Sequence, residues 1–391
     1  MSKWDFTTLG DIATYINGYA FKPSEWSENG LEIIRIQNLT KGSSSINFFA
    51  GSLQEKYKVR RGDILISWSG SLGVYEWQNE DAWLNQHLFK VVFNKVDVSK
   101  SFFKHLMAVS LMKLESQVHG ATMKHITKKK FDAFPIYLPP LEEQKKIAGI
   151  LDAADSYRQK TKALIEKYDQ LTQSLFLDMF GDPVTNPKGW ERVTLPDIVK
   201  KEKHSLKRGP FGGALKKEIF VDDGFKVYEQ GNAIAKSTEI GRYFIDEMKF
   251  KEMMAFKVKP GDFIVSCSGT IGKIFELPTN CPIGIINQAL MKIDIDPEFI
   301  KPVYFEAVFN YFIKDHIFIS GSKGSGLKNV ASMEIIKSGS FICPPRPMQN
   351  QFAERVALIE KQKQQAKASL VKAEELFNSL LQRAFKGELT N

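Results

Sequence analysis

The 391-residue chain carries 54 Lys and Arg against 45 Asp and Glu, a formal net charge of +9, and 43% of its residues are hydrophobic. These values exclude a mostly disordered chain, and the length predicts two or three domains. No run of about 18 apolar residues is present, so no transmembrane helix is expected, and the start at Met1 lacks the apolar segment of a signal peptide. The scattered Cys267, Cys281 and Cys343 predict neither disulfides nor a zinc site, and other metal sites are not expected. We therefore expect a cytoplasmic protein.

The surplus of positive charge indicates a polyanionic partner, most simply nucleic acid, although an ordinary basic protein remains an alternative. Residues 1–140 hold 17 Lys and Arg against 13 Asp and Glu, and residues 186–345 hold 23 against 19. Residues 141–185 hold 6 against 8. Two similar basic regions are thus separated by a slightly acidic spacer.

An internal repeat explains this distribution. Residues 4–12 align with residues 190–198, and residues 59–73 align with residues 258–272. Each copy ends in a Pro-Pro pair that precedes a long proline-poor segment. Before those pairs, short runs rich in Val, Ile and Phe are punctuated by Gly, Ser and Asn, which predicts strands and turns with a few helices. Each copy is therefore predicted to be a mixed α/β half dominated by sheet.

The segments after the Pro-Pro pairs are predicted to be long helices. Apolar residues recur on alternating three- and four-residue steps in both segments, which is typical of coiled-coil packing. A long helix packed on the surface of its own domain remains the alternative. The residues predicted to form this seam, or to dock partners, are Ile147, Ile150, Leu164, Leu171, Leu175, Phe352, Ile359, Leu370 and Leu380.

Together these features predict four regions. Residues 1–138 and 186–343 are the two sheet-rich domains, residues 139–185 are a central helical spacer, and residues 344–391 are a C-terminal helical region that pairs with the spacer.

At this point the sequence resembles the specificity (S) subunits of type I restriction–modification systems, over nearly the whole chain. The resemblance rests on the repeated Gly-Asp-apolar-Ser…Ser-Gly…Gly pattern that begins at Gly62 and Gly261, on the Pro-Pro-Leu-Glu-Glu-Gln start of the first long helix at Pro139, and on the Gly-Pro-Phe-Gly-Gly segment at Gly209. The second long helix departs from the pattern, because Arg346 and the residues after it replace Leu-Glu-Glu.

The resemblance implies two target-recognition domains held apart by an antiparallel coiled coil with pseudo-twofold symmetry, each reading one half of a split site in double-stranded DNA. It also implies two modification (methyltransferase) subunits as partners, which carry S-adenosylmethionine, and restriction subunits with ATP-dependent translocase and nuclease activity. A related system whose partner fuses methylation and cleavage is an alternative. A coiled-coil adaptor that does not read DNA is another.

Motifs for catalysis are missing from the sequence. The string nearest to a methyltransferase Asn-Pro-Pro-aromatic site begins at Asn186 and fails at its third position. No standard phosphate loop is present, and the Pro-Asp segment at Pro196 has His204 where a nuclease motif would have lysine. The chain is therefore predicted to be non-catalytic and to bind no cofactor itself.

Candidate DNA contacts lie in glycine-containing loops that carry basic or amide side chains, three in each half. Such side chains bind phosphates or base edges, and glycine lets the backbone approach a phosphate closely. Ordinary turns with solvated lysines remain the alternative for each loop. The Gly-Asp pairs at Gly62 and Gly261 predict a tight turn before a core strand, so the Ser-x-Ser-Gly segments at Ser67 and Ser266 are not expected to read bases. The predicted contact residues are Lys22, Arg35, Asn38, Lys124, His125, Lys207, Arg208, Lys216, Asn232, Lys323 and Lys328.

Overall fold

The structure, a computed structural model, describes residues 4–40, 45–116, 126–211, 213–317 and 333–390. The chain forms two units, each of which contains one repeat and part of both long helices. The first unit comprises Met1–Ala163 with Lys367–Asn391, and the second comprises Leu164–Ala366.

Among the described residues of the first unit, the strands form two four-stranded sheets and a two-stranded ribbon. The strands are β1 (Asp5–Thr8), β2 (Thr14–Asn17), β3 (Leu31–Ile34), β4 (Asn47–Phe49), β5 (Lys58–Val59), β6 (Ile64–Ser67), β7 (Gly73–Glu76), β8 (Ala82–Leu84), β9 (Leu88–Val92) and β10 (Pro135–Leu138). The sheet orders are β2-β9-β6-β7 and β4-β3-β8-β5, and β1 pairs with β10. The β3–β8 pair is parallel and the other pairs are antiparallel.

The second unit repeats this arrangement. Its strands are β11 (Arg192–Thr194), β12 (Leu206–Arg208), β13 (Phe225–Tyr228), β14 (Phe244–Ile245), β15 (Lys257–Val258), β16 (Phe263–Ser266), β17 (Ile274–Glu276), β18 (Gly284–Ile286), β19 (Leu290–Ile293) and β20 (Ser340–Ile342). The sheet orders are β12-β19-β16-β17 and β14-β13-β18-β15, and β11 pairs with β20. Strand for strand, this topology matches that of the first unit, as the sequence repeat predicts.

The helices between the strands are short, apart from one in each unit that covers a sheet. They are α1 (Leu9–Ile12), α2 (Ile36–Leu39), α3 (Lys100–Ser116), α4 (Lys128–Asp132), α6 (Leu195–Ile198), α7 (Gln230–Ala235), α8 (Glu247–Glu252), α9 (Pro302–Ile317) and α10 (Met333–Ser338). The long helices are α5 (Leu141–Phe180) and α11 (Arg346–Lys386). None of the described helices has both the length and the apolar character needed to cross a membrane.

The Gly-Asp pair of each repeat forms a tight turn before a buried strand, as expected. Gly62 and Gly261 adopt φ of 84° and 86°, a left-handed conformation that favours glycine. The carboxylates of the aspartates that follow, Asp63 and Asp262, each accept a hydrogen bond of 2.9 Å from the backbone N–H three residues earlier. All four residues of β6 and all four of β16 are buried, so these strands are core in both units.

The first turn of each long helix contains a buried glutamine that hydrogen-bonds to the preceding Pro-Pro pair. The Gln144 amide donates to Pro139 O at 2.9 Å and accepts from Ser99 N at 2.9 Å. The Gln349 amide donates to Pro344 O at 2.9 Å and accepts from Lys301 N at 2.8 Å. The departure at Arg346 therefore changes the exposed side chains of the second helix start and leaves its internal fastening intact.

Parts of the two long helices pack on each other within each unit. In the first unit, the beginning of α5 packs on the end of α11, where the Arg158 guanidinium lies 4.4 Å from the centre of the Phe377 ring. In the second unit, the end of α5 packs on the beginning of α11, where the Phe176 and Phe352 ring centres are 5.8 Å apart. This is the antiparallel pairing that the resemblance implied.

The seam in α11 follows the predicted positions, whereas one column of the α5 seam does not. Phe352 is buried, and Ile359, Leu370 and Leu380 are half-buried. Ile147 and Leu175 also face the packed side of α5. Three predicted residues of α5 are instead exposed: Ile150 at 39%, Leu164 at 42% and Leu171 at 49%.

The packed column of α5 lies one residue further along, at Leu151, Arg158, Ile165 and Thr172, which are all less exposed than their predecessors. This corrects the predicted seam. Polar residues occupy part of the packed column because their polar groups have local partners. The Arg158 guanidinium pairs with Asp155 at 2.5 Å, for example. The seam was predicted from apolar residues at heptad spacing. Because the packed column contains polar residues, that prediction selected the neighbouring apolar column, which is exposed.

Candidate nucleic-acid interface

In the first unit, loops that follow or precede four strands meet at one end of the two sheets. Strands β3 and β8 are parallel, so the loops after them lie side by side, and Asn85 N donates to Ile34 O at 3.4 Å. The loop after β2 joins them, since Gln86 N donates to Tyr19 O at 2.9 Å. Ser69, after β6, lies with its Oγ 3.2 Å from His87 Nδ1. We term residues 17–19, 35–38, 69–71 and 85–87 the first rim.

The same loops meet in the second unit. Gly209 N donates to Leu290 O at 2.8 Å, and Asn287 N donates to Tyr228 O at 3.0 Å. Cys267 N donates to Ala289 O at 2.7 Å, which brings the loop after β16 to the same end. We term residues 208–211, 229–232, 268–270 and 287–289 the second rim.

Glycine is required in the loop after β2 of the first unit and in the loop after β12 of the second, where each loop crosses its rim. A Cβ added at Gly18 would lie 2.1 Å from Asn85 O, and one added at Gly209 would lie 1.9 Å from Asn287 O. Both neighbours are backbone atoms, so neither can rotate away. This close packing of backbone on backbone fixes the position of each rim in the same way.

Four of the predicted contact residues are on the rims. Arg35 is half-buried in the first rim, where its guanidinium donates to Asn47 Oδ1 at 2.7 Å and lies 5.3 Å from the Trp26 ring centre. Asn38 accepts from Arg35 N at 2.9 Å and donates to Ser45 O at 3.1 Å. Asn38 therefore holds the loop that carries Arg35. Arg208 and Asn232 lie on the second rim, where Asn232 is equivalent to Asn38 and accepts from Glu229 N in the same way.

Asn232 is completely buried, with 0% of its surface exposed. Its amide oxygen accepts from Glu229 N at 2.8 Å, and its amide nitrogen donates to Ser237 O at 2.9 Å and Ile240 O at 2.7 Å. All of its hydrogen-bonding groups are thus used inside the unit. This corrects its assignment as a DNA contact: the structure gives Asn232 a role in folding the second rim.

Arg208 is half-buried, and its charge acts on the Cys267 thiol. Burial raises the pKa of the Cys267 thiol to about 12, and the positive charge of Arg208 opposes that shift. Lys207, one residue earlier on β12, is half-buried with Nζ 5.4 Å from the Phe256 ring centre. Arg208 therefore stands closer to the rim than Lys207 along the strand.

The remaining predicted residues divide into two groups. Lys22 and Lys216 are exposed in the segments that follow the first loop of each rim. Lys124, His125, Lys323 and Lys328 lie outside the described residues, so the structure does not place them.

Four further rim residues are not among the predicted contact residues. His87 and Gln288 are exposed, and Gln86 and Gln230 are half-buried. The side-chain oxygens of Gln86 and Gln230 are buried and have no hydrogen-bond partner among the described residues. Amide and imidazole groups of this kind can bind base edges. The Asn-Gln pair that recurs in both repeats, at Asn85 and Asn287, could have indicated Gln86 and Gln288 from the sequence.

Comparison with known proteins is consistent with this geometry. Residues 1–167 match the family described as the type I restriction modification DNA specificity domain. The type I restriction enzyme EcoBI specificity subunit of Escherichia coli is 23% identical over 99% of this chain and 86% of its own length. Over nearly its whole length the chain is thus similar to type I restriction enzyme specificity subunits.

Solved structures share the fold. The type I restriction–modification S subunit from M. genitalium aligns with a TM-score of 0.54 at 15% identity, over 98% of this chain and 96% of its own. A chain from a structure described as showing complex assembly and conformational transition of a type I system aligns with a TM-score of 0.59 at 14% identity, over 99% of this chain and 98% of its own. These sequence similarities support DNA sequence recognition within a restriction–modification complex and do not support the adaptor alternative.

Proposed function

We propose that the chain reads the two halves of a bipartite DNA site, one with each rim, and positions modification and restriction subunits on that DNA. The observation that carries this proposal is the duplication of the rim. The same four loops meet twice, on the same backbone contacts, with different polar side chains. Two similar scaffolds with different surface groups are what independent reading of two different half-sites requires.

Basic side chains on the rims and in the segments next to them support contact with DNA. Among the described residues, Lys22, Arg35, Lys207, Arg208 and Lys216 form no ion pair with a carboxylate. Their charges therefore remain available for phosphates. The amide and imidazole groups of Gln86, His87 and Gln288 are of the kinds that read base edges.

Methyl transfer belongs, in this proposal, to the partner subunits, which carry S-adenosylmethionine, while this chain is non-catalytic and binds no cofactor. The purified chain should then bring no methylation to DNA when S-adenosylmethionine is supplied, whereas the complex should methylate. Methyl transfer by the chain alone would contradict this part of the proposal.

Partner docking is proposed for the exposed apolar residues of α5 in each unit. In the first unit, Ile150 and Tyr157 are 39% and 54% exposed, and Ile150 lines an open groove with Lys145, Lys146 and Thr390. In the second unit, Leu164 and Leu171 are exposed. Exposed apolar groups in a regular column are typical of protein interfaces. Ile150→Asp should reduce co-purification of the modification subunit, while Leu358→Asp, at an exposed apolar site on α11, is the comparison.

The test of DNA reading uses the complex of this chain with its modification subunits. Sequencing of methylated bases in cells that carry the system gives the motif, and binding to a duplex with that motif is then measured against salt concentration. We expect preference for the motif over a scrambled duplex and an affinity that falls as salt rises, because phosphate contacts release counterions. A complex that binds both duplexes equally would contradict the proposal.

A further inference from the structure

Phe211 is the most exposed of the large hydrophobic residues that the structure describes. Its exposed fraction is 95%, against 79% for the next, Met248. A phenylalanine that is half-covered by neighbours needs no explanation, but this ring is almost fully in solvent. It lies in the second rim, directly after Gly209 and Pro210.

The backbone that presents Phe211 is held on both sides. Gly209 N donates to Leu290 O at 2.8 Å, and Gly209 packs so closely on Asn287 that no side chain would fit. Pro210 is buried, and its ring restricts the backbone further. On the other side, Phe211 O accepts from Ala214 N at 3.0 Å. The ring therefore projects directly after a backbone segment, Gly209–Pro210, that is fixed in place.

Basic residues flank this turn in the sequence. Arg208 precedes it, and Lys216 and Lys217 follow it, and all three are without an ion pair among the described residues. An apolar ring displayed between cations fits a partner with a charged backbone and an apolar interior. Duplex DNA has this chemistry, since its phosphates surround stacked bases.

The first rim has no such ring. There, Gly18 is followed by Tyr19, whose ring packs on Phe21 and Tyr57 at centre distances of 4.9 Å and 5.9 Å. The Tyr19 hydroxyl donates to Glu25 at 3.2 Å. The aromatic residue one position after Gly18 thus packs against the core of the first unit, whereas the aromatic residue two positions after Gly209 is exposed.

We propose that Phe211 inserts as a wedge into the base stack of the half-site bound by the second rim. Arg208 and the lysines after the turn hold the phosphates on either side. This inference rests on the proposed function. Partial unstacking lets a bent duplex lie closer to the protein surface, so the ring contributes affinity and favours sequences that unstack easily.

The test uses the complex without S-adenosylmethionine and duplexes carrying 2-aminopurine at positions of the second half-site other than the methylated base. Wild-type complex should raise the 2-aminopurine fluorescence at one step, because the base loses a stacking partner. Phe211→Ala should abolish that rise and weaken binding about 5- to 150-fold, the range for loss of a stacking aromatic side chain. Phe211→Trp should retain both signals.

Phe299→Ala is the matched control. Phe299 is 45% exposed in the same unit. Leu290, at the start of β19, contacts the rim, whereas Phe299 follows the other end of that strand. It should change neither the fluorescence nor the affinity. If wild-type complex binds the motif and Phe211→Ala binds and fluoresces like it, the wedge is refuted while DNA reading stands. If Phe211→Ala instead loses the modification subunit and the fluorescence of the remaining complex is unchanged, Phe211 is a protein contact and the wedge is also refuted.

Discussion

The two rims have the same backbone and different surfaces. Gly18 and Gly209 pack on the equivalent carbonyls of Asn85 and Asn287, and the loops join through equivalent hydrogen bonds. The first rim displays a Ser69–His87 pair, whereas the second displays Arg208 and Phe211. Groups that are buried determine the shape of the rim, so the exposed groups are free to differ. This separation would allow one fold to read two unrelated half-sites.

Exchange of a whole repeat should have the largest effect. We expect that replacing residues 1–140 with the corresponding part of a relative changes one half of the methylated motif completely and leaves the other half unchanged. The reason is that the first rim is built entirely from that segment. Sequencing of methylated DNA gives the result. Changes in both halves would show that the rims do not read independently.

The stability of the second unit should depend on pH through Asp262, in a way that has no equivalent at Asp63 of the first unit. Its carboxylate is buried beside Asp294, and one oxygen has no hydrogen-bond partner among the described residues. Burial raises the pKa of Asp262 to about 6, with a further increase from Asp294 that Lys292 and Lys259 partly offset. The folded state therefore holds this proton more tightly than the unfolded state. Stability from this group is gained as pH falls from 6 to 4 and is lost as pH rises.

Asp262→Asn should remove that dependence. The free energy of unfolding of the variant, relative to wild type, should increase by about 2 kcal/mol between pH 4 and pH 6.5, since one pKa unit corresponds to about 1.4 kcal/mol and most of the shift acts within this range. Denaturant unfolding at each pH measures it. Asp63→Asn is the control for the turn contact, because Asp63 accepts the same hydrogen bond without a second buried carboxylate beside it. A difference between Asp262→Asn and wild type that is constant with pH would be incompatible with this assignment.

The repeated topology, the Gly-Asp turns and the long helices could be predicted because each depends on local sequence. The register of α5 could not. The packed column contains Arg158 and Thr172, whose polar groups find partners in the fold, such as Asp155 for Arg158. Packing within the chain does not explain why the exposed column is apolar, whereas the proposed docking of a partner subunit does.

The site was predicted unevenly for a related reason. Arg35 and Arg208 were found from residue type and loop position, and both lie on a rim. Asn232 has the same residue type as a base reader, but only the tertiary structure reveals that its amide is fully used inside the unit. His87 reaches the rim through the pairing of β6 with β9, which a single sequence does not specify.

The glycine at each rim should tolerate no side chain. Gly209→Ala and Gly18→Ala each place a Cβ about 2 Å from a backbone oxygen, and overpacking of this kind costs typically 1–3 kcal/mol. Thermal unfolding should shift downward by a few degrees per kcal/mol for each variant. Each variant should bind more weakly than wild type to a duplex that contains the half-site read by its own unit. On a duplex in which that half-site is scrambled, variant and wild type should bind equally. Gly213→Ala, where nothing lies within 4 Å of the added Cβ, is the control.

The smallest expected effect concerns charge at the second rim. If Lys207 and Arg208 each contact a phosphate, the double alanine variant should reduce the slope of log affinity against log salt by ~1.8, since each contact contributes ~0.9. Lys207 is half-buried with its Nζ 5.4 Å from the Phe256 ring centre, whereas Arg208 is part of the second rim, so single variants separate the two contributions. We expect Arg208→Ala alone to account for ~0.9 of the reduction, and Lys22→Ala in the first unit to give a similar change. The methylated motif should remain the same in all three variants. A relaxed preference at one base of the second half-site would instead show that Arg208 reads a base edge, which would make the two rims differ in mechanism as well as in side chains.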